Sequence, residues 1–184
     1  VLTSFTQKFV EEIKKLKVGN GMDASVSIGP MINKGAMNDT QTLVDESLEQ
    51  GATVELSGGP VKGDGSFYLP VVLSNVSNDM AIAQNEIFGP VAPIIPFDTE
   101  QEAIAIAKST EYGLAAYFYA RDIGRIWRVA EQLDFGMVGI NEGIISNAAA
   151  PFGGVKQSGN GREGSKYGLD DYLEIKYLCM GGLG

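Results

Sequence analysis

The 184-residue chain contains no histidine. That absence removes histidine-assisted serine or cysteine nucleophiles, histidine general bases and histidine–zinc sites, and no metal site is expected. Cysteine occurs once, as Cys179. A lone thiol closes no internal disulfide, which fits a reducing compartment. No apolar run approaches the roughly 18 residues of a membrane-spanning helix. The best runs, such as 91–97, have strand length and are broken by proline. Positive charge is scarce: 14 Lys and Arg stand against 23 Asp and Glu, a net of −9, with no basic stripe. Such a surface repels phosphate backbones and anionic lipid, so neither nucleic acid nor a membrane is an expected partner. With 44% apolar and 20% charged residues, the composition excludes a disordered chain. The sequence begins at Val1 without Met and without a charged-then-apolar leader, and it reads as a fragment rather than a secreted precursor.

What is present alternates between two periods. Leu2, Phe5, Phe9, Ile13 and Leu16 recur at spacings of three and four, predicting an amphipathic first helix. Ser4 and Gln7 have capping-box spacing there, and Gly19 supplies a stop. A second helix is expected over about 33–50, burying Val44 and Leu48 and ending at Gly51. Residues 53–56 then read as a strand, 58–65 as a turn-rich loop and 67–73 as another strand. From Val91 the order becomes regular: strand 91–97, a helix from Thr99 with Glu102 at capping-box spacing, and apolar strand 114–120. A helix capped by Asp122 and carrying Ile123, Ile126, Ala130 and Leu133 follows, then strand 136–140. Alternating helices and apolar strands imply an α/β fold, a parallel sheet covered by helices on both sides. No repeat of fixed period is visible.

In open parallel sheets ligands sit beyond the carboxyl ends of the strands. Of the segments leaving those ends, only 141–151 is long and polar before turning glycine-rich, so it is the best loop for a site. Ser146 and Phe152 offer a hydroxyl donor and an apolar wall there, although loop serines are common. In EIFGPV at 86–91, Glu86 and Phe88 stand two apart before a strand. A glutamate so placed is ordinarily a solvated loop residue. A carboxylate nevertheless accepts two hydroxyl hydrogen bonds, as a ribose diol requires, and a nearby ring packs on a flat heterocycle. Gly159, Gly161 and Gly164 spell G-x-G-x-x-G, but no βαβ unit accompanies them, and a structural turn is the expectation. Cys179 lies in an alternating edge-strand pattern over 172–180 with nothing to lower its pKa, and reads as a small apolar strand residue rather than a nucleophile.

EIFGPV at 86–91 and PFGGVKQSGNGREGSKYGLDDYLEIKY at 151–177 resemble the C-terminal part of an aldehyde dehydrogenase. NEGIIS, GREGSKYG and the YLEIKYLC tail resemble the succinate-semialdehyde subgroup of that family. The resemblance covers essentially the whole chain, which spans less than half of the family's length. It implies a catalytic-domain segment over 1–170 and an oligomerisation arm over 171–184, with the dinucleotide-binding domain upstream. It implies that Glu86 holds the nicotinamide ribose of NAD or NADP, that Phe88 lies beside the nicotinamide, that Ser146 bonds the distal carboxylate of succinate semialdehyde, and that Phe152 lines the aldehyde tunnel. The tail would join subunits into a homo-oligomer. Family members oxidise an aldehyde through a cysteine thioester. The nucleophile and the activating glutamate of that chemistry belong to sequence before Val1, so no catalytic residue is expected in this chain and it should be inactive alone.

Two readings follow. In the first, the chain is part of an NAD(P)-dependent succinate-semialdehyde dehydrogenase of the cytoplasm or the mitochondrial matrix. In the second, it is a non-catalytic assembly module that keeps the fold. Glu86, Phe88 and Ser146 together favour the first, because a purely structural module has no use for all three.

Overall fold

The computed structural model describes residues 1–182 and 184, which divide into two compact units, Val1–Phe97 and Asp98–Gly184. In the first unit, α1 spans Leu2–Ile13. Its buried residues are Thr6 and Val10, whereas Leu2 and Phe5 of the expected apolar stripe are exposed. Thr6 is tolerated inside because its hydroxyl bonds the Leu2 carbonyl at 3.1 Å. The Ser4–Gln7 capping box does not form: Val1 is the N-cap, without a side-chain cap bond. Nor does Gly19 end the helix. After Ile13, Lys15 and Leu16 donate to the carbonyls of Glu12 and Ile13, a tightening that closes α1 without glycine. Helix α2, Lys34–Glu49, matches expectation at both ends. The Asn33 side chain accepts from Ala36 N at 2.8 Å, and Gly51 follows in left-handed backbone at φ 100°. Its buried positions are Met37, Thr40, Val44 and Ser47, so Ser47 takes the inward place expected of Leu48. The Ser47 hydroxyl is satisfied by the Leu43 carbonyl at 2.7 Å.

The strands of this unit are β1 (Thr53–Leu56), β2 (Gly59–Pro60), β3 (Tyr68–Leu69), β4 (Val71–Ser74) and, after the short helix α3 (Ala81–Gln84), β5 (Val91–Pro93). Pro70 splits the single strand expected over 67–73, since proline has no N–H for a ladder. One half, β3, pairs antiparallel with β2. The other, β4, lies between β1, antiparallel, and β5, parallel. Pro93 and Pro96 shorten the strand expected over 91–97 in the same way. Tyr68, Leu73, Val76 and Ile82 form the centre of the core, with Met37, Val44, Val71 and Met80 around them.

The second unit comprises α4 (Glu100–Lys108), β6 (Tyr112–Gly113), β7 (Ala115–Phe118), α5 (Ile123–Gln132), β8 (Met137–Ile140), β9 (Val155–Lys156) and a 3-10 turn at Tyr167–Tyr172. Thr99 caps α4 by accepting from Glu102 N at 3.1 Å, while the Glu102 carboxylate accepts from Asp98 N at 2.8 Å. Asp122 caps α5 by accepting from Arg125 N at 2.6 Å. The two helices are joined where Arg125 and Arg128 both reach Glu100. Strands β7 and β8 are parallel and connected through α5, the crossover unit foreseen from the alternation. The strand expected over 114–120 is shortened to Ala115–Phe118, and just before it β6 pairs antiparallel with β9. Beyond the 3-10 turn, residues 173–182 join no strand. The edge strand expected over 172–180 therefore has no ladder here, and Cys179 is exposed rather than packed. A strand needs a neighbouring edge for its N–H and C=O groups. Among the described residues no helix is long and apolar enough to cross a membrane.

Candidate functional site

Glu86 and Phe88 are placed by the ends of α3 and β5. After α3 the backbone N–H and side-chain amide of Asn85 both bond the Ala81 carbonyl, at 3.0 and 2.8 Å, and Asn85 itself is extended. Side chains alternate in extended backbone. Ile87 packs on the core while Glu86 and Phe88 on either side are exposed, Phe88 at 80%. An apolar anchor thus turns a carboxylate and a ring outward together. Gly89 then carries the chain past α2, where a Cβ would stand 2.9 Å from Thr40 Oγ1. The pair has the chemistry a nicotinamide nucleotide needs: two acceptor oxygens for a ribose diol and an uncovered aromatic face for a flat ring. The residues fit that group.

Ser146 and Phe152 belong to the second unit. Ser146 is exposed in the segment that leaves β8, and Phe152 is half-buried. Phe152 and Glu163 exchange backbone hydrogen bonds at 2.8 and 2.6 Å, which fixes the aromatic residue against the glycine-rich stretch. Around this pair the backbone is threaded through passages with no room for a Cβ. One on Gly136 would stand 2.0 Å from the Gly153 carbonyl oxygen, and one on Gly153 would stand 2.2 Å from that of Gly161. The G-x-G-x-x-G triplet is a structural turn: nothing would meet a Cβ on Gly159, and what the triplet supplies is left-handed backbone. Gly159 and Gly164 adopt φ of 92° and 67°, and the strand before them, β9, is antiparallel rather than part of a βαβ unit.

Sequence reasoning missed Arg162 and Asn141, which organise this loop together with Asp171. Arg162, half-buried, donates through Nη1 to the carbonyls of Gly154 at 2.6 Å, Asn160 at 3.2 Å and Gly161 at 2.9 Å. Asp171 accepts from Arg162 N at 3.0 Å. An arginine set among glycines was the available signal, since exposed carbonyls there need a forked donor. The other residue is Asn141, at the end of β8. A shallow hollow of about 320 Å³ is lined by Pro151, Asn160, Arg162, Tyr167, Asp170 and Asp171. One of about 270 Å³ in the first unit is bordered by Thr6, Glu55, Ser74 and Pro96. Neither contains Glu86, Phe88, Ser146 or Phe152. Among the described residues no group of His, Cys, Asp or Glu side chains could hold a metal ion.

The aldehyde dehydrogenase family model matches residues 1–178, and the chain belongs to that family. It is 55% identical over 181 residues to the mitochondrial succinate-semialdehyde dehydrogenase of Mus musculus, an alignment covering 98% of this chain and 35% of that protein. It is 50% identical over 183 residues to a probable succinate-semialdehyde dehydrogenase (NADP+) of Sinorhizobium fredii, covering 100% of this chain and 37% of that one. Among solved structures, succinate-semialdehyde dehydrogenase from Burkholderia pseudomallei superimposes with a TM-score of 0.93 at 50% identity, over 98% of this chain and 37% of that chain. Betaine aldehyde dehydrogenase from Staphylococcus aureus in complex with NAD+ gives 0.85 at 41%, over 94% and 35%. The chain spans about a third of the length of the curated relatives it matches.

Proposed function

We propose that this chain is the C-terminal portion of the catalytic machinery of an NAD(P)-dependent succinate-semialdehyde dehydrogenase, supplying cofactor- and substrate-holding side chains to a reaction whose nucleophilic cysteine and activating glutamate lie elsewhere in the protein. The observation that carries the reading is the outward pairing of Glu86 and Phe88 about the core-anchored Ile87, in a chain half-identical to proteins named for that oxidation.

In this reading Glu86 accepts the two hydroxyls of the nicotinamide ribose, and Phe88 packs beside the ring. The bound nicotinamide supplies the hydride acceptor. Ser146 donates its hydroxyl to the distal carboxylate of succinate semialdehyde, a charge-assisted bond stronger than a neutral one. Phe152, fixed by its pairing with Glu163, forms an apolar wall that keeps water from the aldehyde's methylene chain. Residues 1–170 serve the catalytic domain. Residues 171–184 serve as an arm whose alternating apolar side chains, Leu173, Ile175 and Tyr177 among them, are exposed and pack against the edge of a second subunit. The sole thiol, Cys179, lies on that arm and takes no part in the chemistry. Relatives of the mitochondrial kind and bacterial kind support the matrix or the cytoplasm as its compartment.

The test is a pair of variants in the full-length protein. Ser146→Ala should lower kcat/KM for succinate semialdehyde by about 1–3 kcal/mol of transition-state binding while changing an uncharged aldehyde little. Glu86→Gln should raise the cofactor KM or slow hydride transfer. Equal losses on both aldehydes remove Ser146 from the carboxylate site, and unaltered cofactor kinetics remove Glu86 from the ribose.

A further inference from the structure

We infer that Asn141 is a positioning residue: its side-chain amide fixes where the Ser146 segment departs from β8, and so governs discrimination between carboxylate-bearing and uncharged aldehydes. The inference rests on the reading of Ser146 given under Proposed function. The parallel pairing of β7 with β8 runs to Phe118 opposite Ile140. It stops there because Asn141 enters left-handed backbone at φ 56°. Asn141 N still donates to the Phe118 carbonyl at 3.0 Å. Beyond that point its side chain takes over from the backbone: Oδ1 accepts from Ala120 N at 2.9 Å, and Nδ2 donates to Ala120 O at 2.8 Å. One amide thereby satisfies both backbone groups of Ala120, as a paired strand residue would.

Asparagine suits this position on two counts. Its side chain tolerates the left-handed region better than most, and it presents a donor and an acceptor side by side at short reach. Aspartate offers only acceptors when ionised, and glycine offers neither. Ser146 follows in the same segment. The segment's far end is tied down separately, by Ser165 N donating to the Ala148 carbonyl at 2.9 Å and by the Phe152–Glu163 pair. Ser146 lies between the two ends, so loosening the Asn141 end lets it pivot about the Ala148 tie, while Phe152 keeps its own anchor. That asymmetry is what makes the effect selective.

Three variants of the full-length protein test this, each assayed with succinate semialdehyde and with an uncharged aldehyde of the same chain length: Asn141→Asp, which sets a second oxygen against the Ala120 carbonyl, Asn141→Gly, which keeps the left-handed turn but drops both bonds, and Ser146→Ala as reference. The expected result is a rise of about tenfold in KM for succinate semialdehyde in both Asn141 variants, the size of one lost hydrogen bond. The uncharged aldehyde and the cofactor should change less than about twofold in KM, with kcat nearly retained. A selective Ser146→Ala beside Asn141 variants that weaken both aldehydes equally overturns the inference alone. An unselective Ser146→Ala overturns the reading of Ser146 and this inference with it. Loss of the thermal unfolding transition in both Asn141 variants overturns it too, by making Asn141 a residue of the fold rather than of substrate choice.

Discussion

The two units are held together by different means. In Val1–Phe97 the side chains of Tyr68, Val72, Leu73 and Ile82 are at most 1% exposed, and stability comes from apolar burial at about 25 cal/mol per Å². In Asp98–Gly184 the buried apolar side chains among the described residues are Ile104 and Leu133, while Tyr119, Ile123, Trp127, Ile144 and Ile175 are exposed. Order there comes instead from backbone passing backbone at glycines 136, 153 and 154, and from polar clamps at Asn141, Arg162 and Asp171. The lesson is one of different sensitivities. The first unit has an apolar core that suffers when atoms are removed, whereas glycines that tolerate no added atom occur in both: a Cβ on Gly58 would stand 2.1 Å from the Pro70 carbonyl oxygen, and one on Gly136 2.0 Å from that of Gly153. The loop carrying Ser146 and Phe152 lacks such a core, and backbone placement there matters more than bulk.

Leu73→Ala should show the largest effect, about 2–5 kcal/mol of unfolding free energy, because the cavity it leaves in β4 has fully packed walls. Gly136→Ala should cost about 1–3 kcal/mol, since its Cβ meets the Gly153 carbonyl and the backbone has to shift. Trp127→Ala on α5, trimming a far larger side chain that is 64% exposed, should stay within about 0.5 kcal/mol in this chain. Urea unfolding measures all three. A costly Trp127→Ala together with a harmless Gly136→Ala would erase the distinction between the units.

The smallest effect separates the units by pH. Burial, with Asp45 adding to it, pushes the Tyr68 phenol up to about 12. Its native pKa lies above the ordinary value near 10, so its contribution is whole below that value and disappears as pH rises toward 12. In the second unit, hydrogen bonds from Arg128 and then Arg125 hold the Glu100 carboxyl below the usual carboxylate range. Its contribution is present above that range and lost as pH falls through the lowered value, uncoupling α4 from α5. Trp127, the single tryptophan, reports on the second unit by fluorescence. An acid-induced shift there that survives Glu100→Gln would break this assignment, as would alkaline loosening of the first unit that survives Tyr68→Phe.

Much of this was legible in the residues. Caps at Thr99 and Asp122, the stop at Gly51 and the crossover from β7 through α5 to β8 all follow from local chemistry, and local chemistry is what short sequence patterns encode. The misreadings have physical causes. The stripe of α1 is apolar where the structure leaves it uncovered, because periodicity reveals a face but not what covers it. Pro70 cuts a strand that hydrophobicity alone made continuous, and the strands expected over 91–97 and 114–120 are shorter than their apolar runs. The tail alternates like a strand, yet residues 173–182 pair with no strand among the described residues. At the site, Glu86 and Phe88 were visible by spacing and resemblance. Asn141 and Arg162 were not, since their work is hydrogen bonding to backbone distant in sequence, which no local pattern displays.

The central claim is that this chain contributes the walls of an aldehyde-oxidising cleft and none of its reacting sulfur. The most direct measurement is nicotinamide reduction by the purified 184-residue chain, given succinate semialdehyde with NAD or NADP, beside the full-length protein under the same conditions. The account predicts turnover by the full-length protein and none by the chain. Sustained reduction by the chain, abolished by Cys179→Ser, would contradict it.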